Sequence, residues 1–214
     1  MTGDTKAEHL KRGEKDSAGC AISGIMSRHG VRFGCEQIVR AVANMRERAN
    51  GLGGGFAAYG IYPEHKDRYA LHLMYEQKPA RRATEERLQT HCVIHHSEPI
   101  PTRSVAAIRR PPMLHRYFVS LKPRAQGRLA DLAEEDSLVQ VVMEINERQQ
   151  GSFVFSSGKN MGVFKGLGYP EDIADFFCLE QYRGYIWTAH GRFPTNTTGW
   201  WGGAHPFGLL DCRA

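Results

Sequence analysis

The chain has 214 residues, 41% hydrophobic and 24% charged, a globular composition that excludes wholesale disorder. No run reaches the roughly 18 uncharged apolar residues of a membrane-spanning helix, and the first residues hold no apolar core of a secretory signal. A net charge of +5 and a pI near 9.0 permit a nucleic-acid partner, but 23 acidic residues spread along the chain make that the weakest clue.

Residues 1–19 mix Lys6, Lys11, Arg12 and Lys15 with Asp4, Glu8, Glu14 and Asp16, and hold little apolar surface, so a flexible leader or propeptide is expected there. The character changes at Cys20, where CAISGIM reads as a buried strand. Ile38, Val39, Val42 and Met45 recur at helical spacing within 35–48, and Asn50-Gly51 follows as a helix-ending turn. FAAYGIY (56–62) and YALHLMY (69–75) read as strands, with PEHKD between them as the turn of a hairpin.

A short helix is predicted over 83–91, a strand over 92–96, a Pro-rich extended segment over 98–112 and a strand over 114–123. The longest helix is predicted over 130–150, its acidic start suiting the helix dipole. A strand at 151–158, a helix at 171–182 and a strand at 185–190 complete the elements. Strands and helices mix without regular β-α-β alternation, which predicts an α+β architecture of antiparallel sheets.

Several groups of residues invite a chemical reading. GLGGG (51–55) lacks the Gly-Lys-Ser/Thr ending of a phosphate loop and follows a helix instead of opening one, so it reads as a turn. His91, Cys92, His95 and His96 alternate across a strand and cannot converge on one metal. The pairs Arg81-Arg82 and Arg109-Arg110 lack interleaved aromatics and read as solvated surface. Five cysteines, scattered and without a CxxC pair, point to reduced thiols and a cytoplasmic protein.

Two places carry more. Cys20 stands where the polar leader meets the first strand. If the chain were cut between Gly19 and Cys20, the thiol and a free α-amine would lie in one residue, a nucleophile with its own base. A plain buried cysteine is the other reading of the same position. Near the far end, His190, Arg192, Thr195, Asn196 and His205 fall among glycine and tryptophan. Arg192 offers a fork for a carboxylate, and a structural arginine in a surface loop is the alternative.

Read together, Cys-x-Ile-x-Gly-Ile at 20–25, His-x-Arg-Phe-x-Thr-Asn-Thr at 190–197, Ala-His-Pro at 204–206 and SSGKNMGVFKGLGYPEDIADF at 156–176 resemble the class II glutamine amidotransferases. These are N-terminal-nucleophile hydrolases, and the resemblance is to the amidotransferase domain of glutamate synthase and its relatives. It spans residues 20–214 and implies a four-layer αββα sandwich of antiparallel sheets. By resemblance, Cys20 forms a γ-glutamyl thioester with glutamine and releases ammonia to a synthase subunit or domain.

The same resemblance implies that Arg192 holds the α-carboxylate, that Thr195 and the backbone at Phe193 shape the pocket, and that His205 lies nearby. It implies no cofactor and no metal in this chain, with any flavin or iron–sulfur cluster on the partner, and neither nucleic acid nor membrane as a partner. In the family an oxyanion-hole Asn-Gly follows the Ala-His-Pro segment, and a later carboxylate grips the substrate amine. Neither follows before Ala214, so 20–214 is expected to be the N-terminal portion of the domain, with the sandwich incomplete at its C-terminus. A non-catalytic, truncated structural or regulatory subunit is the alternative function.

Overall fold

The computed structural model describes residues 19–123, 133–193 and 199–208. Eight strands form two four-stranded sheets in which every pair is antiparallel. The first holds β1 (Ala21–Met26), β8 (Ile186–Gly191), β2 (Gly54–Tyr59) and β7 (Met161–Gly166), in that order. The second runs β4 (Cys92–Pro99), β5 (Met113–Leu121), β3 (Tyr69–Tyr75) and β6 (Ser152–Lys159).

Helices α1 (Glu36–Ala43) and α4 (Pro170–Phe176) pack on the first sheet, and α2 (Lys78–His91) and α3 (Glu134–Arg148) pack on the second. The expected α+β sandwich of helix, sheet, sheet and helix layers is therefore the observed architecture.

The amphipathic patterns explain the packing. Along α3, Leu138, Val141, Val142 and Ile145 make a buried stripe, and Glu134, Glu135 and Asp136 occupy its first turn. That stripe meets Tyr69, Leu71, Leu73 and Tyr75, one face of β3. The alternate residues Ala70 and Met74 join a second core with Phe118, Phe155 and Phe164, together with Ile38 and Val42 of α1.

Three local expectations are corrected. The segments 56–62 and 69–75 are not a hairpin: β2 lies between β8 and β7, and β3 between β5 and β6 in the other sheet. Both are central strands buried on both faces, so their unbroken apolar runs carry no sign of which partner each chooses. The chain crosses between sheets through residues 60–68, where Gly60 adopts φ 85° and Pro63–His65 forms a 3-10 turn.

The helix expected over 171–182 stops at Phe176. Cys178 takes the left-handed conformation, φ 52°, before a 3-10 turn over Leu179–Gln181. The first helix likewise ends at Ala43, ahead of a 3-10 turn at Arg46–Arg48. Strand β7 was not predicted. It follows β6 after a single residue, Asn160, yet the two strands enter different sheets.

Candidate functional site

The strand alternation decides what converges. In β1, Ile22 pairs with His190 of β8, which pairs in turn with Gly55 of β2, itself opposite Lys165 of β7. Side chains two residues apart share a face. Cys20 therefore falls on the face of Ile22, Arg192 on the face of His190, and both on the face that carries Lys165.

This row crosses the end of the first sheet where β1 begins and β8 finishes. Cys20 is half-buried there. Beside it, Arg48 approaches so closely that a Cβ on Gly19 would lie 2.5 Å from its Nη2. The Arg192 amide donates to the Gly53 carbonyl at 2.8 Å, which continues the β8–β2 pairing one residue past the strand end.

Gly55 makes room for a second layer. A Cβ at this position would come 2.5 Å from the His205 carbonyl oxygen and 2.7 Å from Lys165 Cβ, so only glycine lets the 199–208 loop lie on the sheet. His205 then stands over the row, with its Nδ1 3.3 Å from His190 Nε2 and the rings edge to face at 4.5 Å.

Burial lowers the His190 pKa to about 4, assisted by the charges of His205 and Arg192, and burial followed by Arg192 and Lys165 lowers that of His205. Both imidazoles are neutral at pH 7, so one of the two facing nitrogens carries the shared proton and the other accepts it. The arrangement sets a thiol, a guanidinium and two neutral imidazoles on one strand end.

The predicted site residues distribute as follows. Arg192 and His205 come together, and strand alternation carries Cys20 to the same face at the same sheet end. Phe193 is half-buried, two residues past the end of β8. Thr195 lies outside the described residues. Sequence reasoning placed His190 in this polar cluster without giving it a role, and missed Lys165. The signal for Lys165 was present as a single lysine in phase with Met161 and Val163, but it was unreadable until β7 was recognised as a strand.

Contrary to expectation, the His91 group does not lie along one regular strand. His91 ends α2, Cys92 is buried, and a register shift between Ile94 and His96 separates the rest. Among the described residues, no three His, Cys, Asp or Glu side chains gather as a metal site, and no helix is long and apolar enough to cross a membrane.

The family of glutamine amidotransferases class-II matches residues 66–212. The chain belongs to that family. As a class II glutamine amidotransferase, it has the N-terminal-nucleophile hydrolase sandwich described above. It is also 51% identical over 201 residues to an uncharacterized protein of Archaeoglobus fulgidus, an alignment that covers 92% of this chain and 53% of the relative. The chain thus spans about half the length of that relative.

Proposed function

We propose that the protein carries out the glutaminase half-reaction of a class II glutamine amidotransferase, with Cys20 as nucleophile. The observation that carries the reading is the convergence of Cys20, Arg192 and His205 at one sheet end in a member of this family. Removal of the leader, residues 1–19, frees the Cys20 α-amine to take the thiol proton.

The thiolate then bonds to the side-chain carbonyl carbon of glutamine, and the carbon–nitrogen bond breaks. Nitrogen leaves as ammonia with the proton the thiol gave up. Water cleaves the thioester, returning glutamate and the thiol. Arg192 grips the α-carboxylate through its planar fork, while Thr195 and the Phe193 backbone bound the pocket and His205 lies above it. The ammonia passes to a glutamate-synthase-like subunit or domain, which holds any flavin or iron–sulfur cluster. The assembly works in the cytoplasm.

The test is intact-mass analysis of the protein from cells, combined with labelling by a glutamine-analogue electrophile. A chain that begins at Cys20, is labelled there, is protected by glutamine and loses the label in Cys20→Ala supports the reading. Retention of residues 1–19, together with no labelling of a chain engineered to begin at Cys20, overturns it.

A further inference from the structure

Lys165 is a lysine with almost no access to water, 1% exposed. Such burial demands a reason, because an ammonium loses its hydration and must find partners. Its Nζ donates to the Gly202 carbonyl at 3.0 Å and sits 4.2 Å from the centre of the Phe207 ring. Both partners belong to the loop that carries His205. Phe207 in turn meets His205 edge to face at 4.7 Å, and His205 meets His190. A continuous chain of contacts thus runs from β7 over Gly55 to β8.

We propose that Lys165 is a positioning residue, whose hold on the Gly202 carbonyl and the Phe207 ring seats the 199–208 loop and sets His205 over His190 beside Cys20. For its effect on turnover, the proposal rests on the glutaminase reading above; for its effect on the loop it stands alone. Geometry makes Lys165 suited to the task. Gly55, on the same face as Lys165, leaves the sheet bare beneath His205, while Trp201 covers Gly166 on the opposite face, so the loop wraps the β7 edge at the strand that carries Lys165.

The tether responds to protonation. Burial brings the Lys165 pKa down to about 7, and the groups that face it are the neutral imidazole of His205 on the loop and, across Gly55, the neutral imidazole of His190 and the guanidinium of Arg192 on β8. The ammonium form meets the Phe207 ring as a cation but loses its hydration under the loop, whereas the amine form keeps the hydrogen bond without that cost. Because burial under the loop lowers this pKa, the seated state sheds a proton that an exposed Lys165 keeps, and loop seating strengthens as pH rises through neutrality.

Hydrogen exchange on the full chain tests the anchor, with Lys165→Met and Lys165→Arg as variants. The expected result is faster exchange of amides 199–208 in Lys165→Met, largely restored in Lys165→Arg, and a tryptophan fluorescence inflection near pH 7 that Lys165→Met abolishes. Unchanged loop exchange in Lys165→Met overturns the proposal whatever the turnover.

In the chain beginning at Cys20, kcat/KM for glutamine should fall about tenfold in Lys165→Met through misplacement of the site. Turnover unaffected by Lys165→Met in an active wild type also overturns it. A wild type that binds its loop through Lys165 yet neither turns over glutamine nor labels at Cys20 counts against the proposed function and leaves the loop anchor standing.

Discussion

Asn160 accepts the Tyr62 amide proton on its side-chain oxygen at 2.8 Å, joining the two places where the chain crosses from one sheet to the other. Its own carbonyl takes a second amide proton, from Gly60, at 2.7 Å. Asn160 performs this with φ 53°, a left-handed conformation that asparagine tolerates better than most residues. The two sheets are thus clasped at the end of the molecule remote from Cys20.

Replacing this residue separates its two contributions. Asn160→Gly keeps the backbone conformation and loses the side-chain acceptor, leaving a Tyr62 amide without its partner, at a cost of about 1–3 kcal/mol. Asn160→Val loses both and is expected to cost more, since a β-branched residue is strained at positive φ. Urea denaturation of the two variants and the wild type checks the order.

Behind the clasp, His72 is fully buried between the sheets. Its Nδ1 lies 2.9 Å from the Val163 carbonyl, which only accepts, so Nδ1 carries the proton and Nε2 accepts from the Tyr62 hydroxyl at 2.8 Å. Burial takes the His72 pKa down to about 3. The unfolded chain binds a proton near 6.5 and the folded one does not until about 3, so stability falls as pH drops through that window. His72→Gln is expected to flatten this acid-side slope by close to one proton, read from urea midpoints between pH 7 and pH 4.

Gly55→Ala should unseat the loop without removing any polar group. The added methyl meets the His205 carbonyl and Lys165 Cβ, and overpacking of this kind costs about 1–3 kcal/mol. The expected outcome is a shifted emission from Trp200 and Trp201 with the far-ultraviolet circular dichroism retained. An unchanged emission spectrum would show that the loop accommodates the methyl.

Arg192→Lys should separate binding from chemistry. Lysine keeps the charge but not the two parallel hydrogen bonds, so the KM for glutamine is expected to rise about 10- to 100-fold, with kcat little changed. Steady-state kinetics on a chain beginning at Cys20 measures this.

Arg116 illustrates what escapes a linear reading. It donates to Glu98 at 2.8 Å through Nε and to the Tyr182 hydroxyl at 2.7 Å through Nη1, and its guanidinium lies over the Tyr62 ring. These partners come from three distant stretches of sequence, and nothing in the local pattern of LHRYFVSL marks its arginine as a buried hub.

The sequence by itself determined which segments are apolar and with what period. The α3 stripe, the position of the first strand though not its expected burial (Ile22 and Met26 are exposed), the antiparallel α+β class and the pairing of Cys20 with the Arg192 motif as candidate chemistry were all legible, because periodicity and short motifs are local properties. Which strand lies beside which was decided only in three dimensions. β2 and β3 are both buried on both faces, so no alternation favoured one neighbour over another, and the crossing at Asn160 hid β7 behind β6. With β7 went Lys165: its place in the row with Gly55 and His190 exists only through the register of strands that are remote in sequence.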